Sequence, residues 1–495
     1  MWRLLIVFVV ACAEPIGAAR EVDVSSPDSD VSAPEVDATD SDATEHDSDA
    51  TEHDVDATDS DATEPDLAHD GDVEVDTPDC VSDPTGPTCP TRCVRGRLLR
   101  EARRPNAEAT ALLDLAVVPV VDLEVTAVTS ASATRWAATD TEGDFEICGL
   151  AADAPLTLRV TCEVRDRDAG GDPDRVLLAV VDGQEVDVPQ RRGVRIVAQR
   201  LWSWSLSVGP ASDEIGTWLI REGDGAGALA ILAEARAVIA RAATLFAGRA
   251  ITPPTLGIVW SPARTPSCLS CYLPAAWGPL VLQGAPGAAD LAFDRALFLS
   301  GAPSAPHHWT PSLVAHELGH FAMDTWSVLP DLGGPHGWDA RVDPALAWSE
   351  GFATFFAQRA LSTLQLPMPR FFSIQSNIPY WVDLDAIARD PRTDDTSLSL
   401  TIPLPSPSGG LTQPLGEGAV AALLWGLGSG VDPGRPDAVV VAVASLRVRT
   451  LDRGAPGPDL VDFLDALVCA YPDLDQDSLS PALIGFPYDF APLCP

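Results

Sequence analysis

The sequence contains no lysine: all 32 of its Lys and Arg residues are arginines, against 72 Asp and Glu, and the net charge is −40. We interpret the absence of lysine as a bias of composition and not as a functional signal. The shortage of positive charge argues against a nucleic-acid partner, because proteins bind phosphates mainly through Lys and Arg. Beyond the N-terminal segment no uninterrupted apolar run reaches about 18 residues, so no transmembrane helix is predicted.

The N-terminus, "MWRLLIVFVVACAEP", has one positive charge, an apolar run from Leu4 to Ala11, and then Cys12. This pattern predicts a signal peptide over residues 1–12. The "VVAC" stretch resembles the lipobox of bacterial lipoproteins, which implies that Cys12 is lipidated and anchors the mature chain in a membrane. In that family, a residue other than Asp after the cysteine, here Ala13, implies the outer membrane or the cell surface. The alternative is a plain secretory signal, and both interpretations predict export.

Residues 13–88 are strongly acidic and contain the degenerate repeat "DATDSDATEHDSDATEHDVDATDSDATEPD". From Ala13 to Arg92 there are 25 acidic residues and two arginines, a net charge of −23, which is more than half of the imbalance of the whole chain. Such a segment has too few apolar groups to offset its ordering entropy, so we predict a disordered tether. The alternative, a calcium-binding repeat, lacks the glycine at a fixed position that calcium loops need.

Residues 89–200 have the pattern of short antiparallel strands. "LTLRVTCEV" (156–164) alternates apolar and polar residues, and "TRWAATDTEGDFEICGL" (134–150) predicts strand, turn, strand with Glu142–Gly143 at the tip. The stretch "TDTEGDFEICGL" resembles the hairpin of carboxypeptidase regulatory-like domains. The resemblance implies a small transthyretin-type β-sandwich with no chemistry of its own.

From residue 201 onwards the pattern becomes mixed. A stripe of apolar residues predicts a long helix over 227–248, "TLGIVW" (255–260) and "PLVLQG" (279–284) predict strands, and helices dominate towards the C-terminus. The sequence therefore predicts an α+β domain over 201–495.

Nine cysteines remain when Cys12 is set aside, and export predicts that most form disulfides. Cys148–Cys162 and Cys469–Cys494 are plausible local pairs. For "CLSC" (268–271) a structural disulfide is favoured over half of a zinc ribbon or a redox pair, because no second CxxC is present. An odd number implies at least one cysteine that is free or bonded elsewhere.

The stretch "VAHELGHFA" (314–322) contains the HExxH arrangement. Thr310–Pro311 predicts the start of a helix, with Thr as N-cap and Pro as the first helical residue. His316 and His320 are four residues apart and therefore lie on one helix face, where both rings can reach a single metal ion. In such a motif Glu317 serves as general base. The alternative is a helix with two structural histidines.

A third ligand is needed for a catalytic metal site. Met323 and Trp326 stand where a metzincin has Gly and His, which excludes that class. His336 is a candidate within a Gly/Pro-rich loop. The stronger candidate is Glu350, in an apolar helix predicted to start at Asp343–Pro344, because a buried carboxylate is costly unless it is paired or bound to metal.

"HELGH" followed by "AWSEGFATFF" resembles the gluzincin metallopeptidases, the group that contains thermolysin and the membrane alanyl aminopeptidases. The resemblance implies that His316, His320 and Glu350 bind Zn²⁺ and that Glu317 activates the water. Asp324 matches a common acidic position of thermolysin-like chains.

Three departures from the gluzincin pattern are visible. Thr354 stands where thermolysin has an Asp that orients a ligand histidine. The thirty positions from His320 to Glu350 imply an inserted loop at 327–342, and the amine-binding motif of the aminopeptidases is absent.

Glu417, at the start of a late helix, is interpreted as a helix-start charge more readily than as a residue supporting the site. Tyr380 and His336 are the candidates for a donor to the oxyanion.

The sequence therefore predicts a multidomain protein: a disordered tether, an all-β sandwich and a thermolysin/aminopeptidase-like zincin domain. The predicted function is zinc-dependent hydrolysis of peptide bonds in a peptide or protein substrate by an exported, membrane-tethered enzyme. The alternative is a non-catalytic surface-binding or adhesion lipoprotein with a degenerate zincin domain.

Overall fold

The computed structural model describes residues 91–494 with internal gaps. The predicted signal peptide (1–12) and tether (13–88), with Cys12, Cys80 and Cys89, lie outside the described residues. The gaps are at 130–133, 167–174, 188–193, 211, 247–250, 275–279, 282–291, 331–332, 339, 363–369, 385–410, 412–413, 431–437, 447–452, 454–456, 475–491 and 493.

The described residues form a mixed α/β structure with six α-helices. The strands are β1 (Thr91–Ala102), β2 (Ala116–Pro119), β3 (Glu124–Thr129), β4 (Thr134–Ala138), β5 (Asp144–Ala151), β6 (Leu156–Thr161), β7 (Glu163–Arg165), β8 (Val176–Asp187), β9 (Val194–Leu201), β10 (Ser203–Val208), β11 (Glu214–Ile220), β12 (Leu256–Trp260), β13 (Cys271–Leu273), β14 (Leu280–Val281), β15 (Ala292–Phe293), β16 (Arg295–Leu299), β17 (Arg341–Val342), β18 (Arg370–Gln375), β19 (Ile378–Asp383) and β20 (Leu415–Gly416). The helices are α1 (Ala226–Leu245), α2 (Pro311–Trp326), α3 (Pro344–Ser362), α4 (Glu417–Gly430), α5 (Ala438–Ser445) and α6 (Leu460–Ala470), with 3₁₀ turns at Glu222–Asp224 and His307–Trp309.

The first half of the described chain builds two four-stranded sheets. In the first sheet β1 pairs with β2 and β5 in antiparallel and with β11 in parallel orientation. The second sheet has the order β10-β6-β3-β4 and is antiparallel throughout. In β6 the predicted alternation is present, since Leu156, Leu158 and Val160 are buried and the residues between them are not.

A third sheet has the order β13-β16-β12-β8-β7, with β9 also paired to β8. This sheet contains β7, β8 and β9, which lie in the sequence up to residue 201, together with strands from after it. In contrast, β11 and β10, which follow residue 201, belong to the first and the second sheet. Strand pairing therefore crosses the predicted boundary between 89–200 and 201–495 in both directions, and that boundary stays a prediction from sequence.

Two expected strand segments differ in detail from the structure. The predicted single strand 156–164 is divided at Cys162, where the chain leaves the second sheet as β6 and enters the third as β7. The segment 134–150 is strand, turn, strand as predicted, but β4 pairs with β3 and β5 pairs with β1. The turn thus links two sheets, and Gly143 adopts a φ of +81° there, with its α-carbon too close to the Leu98 carbonyl for a side chain.

The disulfides confirm two expectations and correct a third. Cys268–Cys271 and Cys469–Cys494 are bonded as predicted. The Cys148–Cys162 pair is wrong, because Cys148 is bonded to Cys93 across β5 and β1. Cys162 is a buried free thiol whose Sγ lies 3.2 Å from the Ala228 carbonyl oxygen of α1.

The predicted helix over 227–248 is present as α1, which packs on β8 and on α2. Helices α2 and α3 pack on each other most extensively, and α4 lies against α3. None of the helices in the described ranges is long and apolar enough to cross a membrane.

Candidate metal centre

Helix α2 begins where the sequence predicts, with Pro311 as its first residue and Thr310 before it. The Thr310 hydroxyl, however, donates to the His307 carbonyl at 2.8 Å and makes no cap bond with the helix. Helix α3 begins at Pro344, and Asp343 caps it by accepting a hydrogen bond from the Ala345 N–H at 2.9 Å. The two helix starts place HELGH and Glu350 on facing helices.

The crossing of α2 and α3 depends on Gly319, the glycine within HELGH. A β-carbon at this position would lie 2.7 Å from the Ala353 α-carbon and 3.0 Å from its carbonyl oxygen. Because real β-carbons do not approach backbone so closely, only glycine lets the two helices come this near. Because the two helices cross so closely, Glu350 lies within contact distance of the histidine rings.

The structure brings His316, His320 and Glu350 together in the interior. The Nε2 atoms of His316 and His320 lie 3.1 Å and 3.3 Å from one oxygen, Oε2, of Glu350. The two rings are edge to face, with centroids 5.0 Å apart. These three residues form a buried group whose ligand atoms all lie within 4.8 Å of one another, close enough to hold a metal ion.

The other ring nitrogen of each histidine, Nδ1, lies within hydrogen-bond distance of a side-chain hydroxyl. Nδ1 of His316 lies 3.0 Å from the Thr354 hydroxyl, and Nδ1 of His320 lies 3.1 Å from the Ser349 hydroxyl. Such contacts fix the ring so that Nε2 points towards Glu350, as is usual for metal-binding histidines. Thr354, which the sequence places where thermolysin has an Asp, thus contacts Nδ1 of His316.

Burial and mutual charge set the protonation of the three residues. Burial lowers the pKa of His316 to about 4. Burial opposes the charge on His320 as well, but the Glu350 carboxylate outweighs it and raises the pKa of His320. Burial alone would raise the pKa of Glu350, yet the surrounding histidines hold it well below its usual range. Glu350 is consequently an anion at neutral pH, as a cation site requires.

Glu317 is fully enclosed beside this group. Burial is the main reason that its pKa is raised to about 8, against the opposing effect of His320 and a hydrogen bond from the Tyr272 backbone N–H. Tyr272 lies in β13, which is the last strand of the third sheet on that side. The carboxyl group therefore lies between the histidines and a sheet edge.

The structure brings two more residues to this group: His336, which the sequence offered as the weaker candidate for the third ligand, and Glu417. Nε2 of His336, from the 327–342 loop, lies 3.3 Å from Oε2 of Glu350 and 3.9 Å from Oε2 of Glu417. Glu417 is the first residue of α4, as its interpretation as a helix-start charge expects, and it is also buried beside this loop. The sequence contains a pattern shared by Glu350 and Glu417: in "SEGF" and "GEGA" the Glu is followed by a Gly, and each of these glycines lies in close contact with a neighbouring element.

Two further residues named from sequence lie elsewhere. Asp324 accepts hydrogen bonds from the Tyr272 hydroxyl at 2.6 Å and from Arg295, so it holds β13 and β16 to α2. Tyr380 lies in β19 opposite Ser373 of β18. In this hairpin Phe371 packs edge-on against the His316 ring, with centroids 5.9 Å apart.

The donor set fits a tetrahedral metal ion. Zinc bonds of about 2.0–2.2 Å to nitrogen and oxygen put neighbouring ligand atoms about 3.3–3.5 Å apart. The separations of 3.1 Å and 3.3 Å between the two Nε2 atoms and Oε2 are close to that spacing. Two imidazoles and a carboxylate with this spacing could hold a metal ion here.

In comparisons with known proteins, no protein-family model matches this chain, and no curated protein sequence matches it either.

Proposed function

We propose that this chain is an exported zinc metallopeptidase that hydrolyses peptide bonds. The observation that carries the proposal is the convergence of His316 Nε2 and His320 Nε2 on one carboxylate oxygen of Glu350, with Glu317 enclosed beside them. The proposal includes a zincin fold for the helical part and a carboxypeptidase regulatory-like sandwich for the first two sheets. It also includes a lipid anchor at Cys12 and an acidic tether that separates the enzyme from the membrane.

His316, His320 and Glu350 would hold the zinc ion. When bound, zinc supplies Lewis-acid chemistry, which polarises a substrate carbonyl and acidifies a water molecule. Imidazole and carboxylate are ligands that zinc accepts readily, although they suit other divalent transition metals as well. The hydroxyls of Thr354 and Ser349 keep the two rings in the orientation that binding needs.

Glu317 is the proposed general base. Burial raises the pKa of its carboxyl group to about 8, which makes the ionised form a stronger base than an exposed glutamate; the positive charge of a bound metal ion would lower that pKa and so favour the ionised form that accepts a proton. The same group then delivers that proton to the nitrogen of the leaving amine. The Tyr272 N–H holds the carboxyl group in place during both transfers.

The replacement Glu317→Gln tests the proposal directly. The amide keeps the shape of the side chain but cannot take up the proton, so zinc content should be unchanged while kcat/KM falls by about 10²–10⁴-fold. The measurement is cleavage of casein and of a peptide library by the full chain, with and without a chelator. Glu234→Gln, on the half-buried glutamate of α1 outside the cluster, is the matched control and should keep full activity.

Proteolysis that persists in Glu317→Gln would contradict the assignment of the base. Zinc bound stoichiometrically with no turnover of any substrate would favour the alternative, a non-catalytic surface lipoprotein.

A further inference from the structure

A second group of ligand atoms lies next to the first and shares Glu350 with it. His336, Glu350 and Glu417 bring one imidazole nitrogen and two carboxylates within 4.8 Å of one another. All three side chains are almost fully enclosed, with 4%, 5% and 6% of their surfaces exposed. The histidine ligands of the described cluster thus lie around Oε2 of Glu350 in two groups: His316 and His320 in one, His336 in the other.

Close backbone packing builds this second group. A β-carbon on Gly351 would lie 2.7 Å from the Glu417 carbonyl oxygen, so the glycine after Glu350 lets α4 approach α3. A β-carbon on Gly418 would lie 2.9 Å from the Trp338 carbonyl oxygen, so the glycine after Glu417 lets the 327–342 loop approach α4. Strands β17 and β20 pair and fasten the end of that loop to the start of α4.

The ring of His336 is oriented as a ligand. Nδ1 lies 3.0 Å from the Gly334 carbonyl, to which only an N–H can donate, so Nδ1 carries a proton. In neutral imidazole Nε2 is then the atom with the lone pair, and it faces the two carboxylates. Nδ1 of His316 and of His320 also contacts a protein oxygen, in each case a hydroxyl, while Nε2 faces Glu350.

We infer that His336, Glu350 and Glu417 bind a second divalent transition-metal ion, with the Glu350 carboxylate bridging it to the ion held by His316 and His320. The inference rests on the proposed metal site but not on proteolytic activity. A nitrogen ligand favours zinc or a similar ion over Ca²⁺ or Mg²⁺, which prefer all-oxygen sites.

In paired metal sites the two ions are about 3.5–4 Å apart, a spacing that one bridging carboxylate allows. The 3.3 Å separation of His336 Nε2 from the same Glu350 oxygen that His316 and His320 approach is compatible with such a bridge. His336 then binds through Nε2 and does not serve as the oxyanion donor.

The test is the number of zinc ions bound per chain. Metal-stripped full chain is titrated with zinc and its content is measured by mass spectrometry of the metal after dialysis. We expect two equivalents for the natural chain and for Glu234→Gln, and one for Glu417→Gln and for His336→Ala. Circular dichroism of each variant shows whether it is folded, and Glu417→Gln keeps the side-chain volume if His336→Ala does not fold.

A single equivalent of zinc in the natural chain would overturn the inference. It would do so even if His336→Ala lowered the affinity for that one ion, because no second ion would then be bound. Two equivalents that survive both substitutions would also overturn it, because the second ion would then lie elsewhere. Cobalt provides an independent readout: two bridged Co²⁺ ions should show magnetic coupling in electron paramagnetic resonance, and Glu417→Gln should abolish it.

The outcomes separate this inference from the proposed function. Two coupled ions without peptide cleavage would uphold the second site and contradict the peptidase, whereas cleavage with a single ion would do the reverse.

Discussion

At the scale of single residues, the candidate metal cluster is organised by small polar groups that contact the proposed ligands. Thr354 and Ser349 each place a hydroxyl against Nδ1 of a histidine, and both lie on α3 close to Glu350. One helix therefore supplies a ligand and the supports for the two histidines of its neighbour. The supports matter because an imidazole that rotates freely loses entropy on binding a metal.

Thr354→Val should weaken zinc binding. Valine has nearly the shape of threonine but leaves Nδ1 of His316 without its partner, and loss of such an outer contact typically costs about 10–100-fold in metal affinity. Competition with a fluorescent chelator measures the affinity. Thr354→Ser keeps the hydroxyl and should remain close to the natural chain; equal weakening in both variants would show that packing, not the hydrogen bond, is responsible.

At the scale of elements, the site depends on how closely three helices and one loop approach. Gly319, Gly351 and Gly418 each stand where a side chain would meet backbone or a packed side chain of the next element. Glycine lowers helix stability by about 1 kcal/mol relative to alanine. Its use at these crossings is therefore explained by the contacts between elements and not by the helices themselves.

Gly319→Ala should destabilise the protein and release the metal. The gain in helix propensity is about 1 kcal/mol, but forcing a methyl group against Ala353 costs about 1–3 kcal/mol and separates the histidines from Glu350. Urea unfolding and zinc content are the measurements. Gly428→Ala is the control, since the nearest atoms to its β-carbon are 3.6 Å and 3.9 Å away, and it should be neutral or stabilising.

At the scale of the whole molecule, buried polar contacts join segments that are distant in the chain. Nδ1 of His307 lies 2.7 Å from the Ser270 hydroxyl, within the Cys268–Cys271 turn, and Nε2 lies 3.1 Å from the Ile374 carbonyl of β18. The neutral ring thus connects the turn before β13 with the hairpin that covers His316.

Acid should weaken the fold through His307. Burial lowers the pKa of His307 to about 3, whereas that of an unfolded histidine is about 6.5, so the unfolded chain binds the proton more readily. The stabilisation is complete above pH 6.5 and is lost as the pH falls towards 3. The free energy of unfolding should drop by about 1 kcal/mol from this residue between pH 7.5 and 5.5. His307→Gln should show a smaller drop in urea unfolding; an identical drop would exclude His307 as the cause.

The part of the site that could be predicted is the part encoded locally. The four-residue spacing of His316 and His320 places both on one face of a single helix. The two helix starts, at Thr310–Pro311 and Asp343–Pro344, follow from local preferences of the backbone, and the structure has both helices beginning there. Glu350 could be selected because an isolated carboxylate in an apolar helix needs a partner.

The part that could not be predicted involves contacts between distant segments. His336 lies in a loop whose path is decided by β17 pairing with β20 and by α4 lying against Gly351. The wrong Cys148–Cys162 pair has the same origin, since Cys148 lies beside Cys93 only because β5 pairs with β1.

The sequence by itself determined the helices that carry HELGH and Glu350, the long helix α1 and the Cys268–Cys271 bond, because each depends on neighbours along the chain. Of the two plausible longer-range pairs, only Cys469–Cys494 is formed. Only the tertiary structure decided that Gly319 serves a helix crossing, that strands on both sides of residue 200 share sheets, and that His336 and Glu417 join the cluster. These features depend on which surfaces meet, and that is settled by the packing of the whole core.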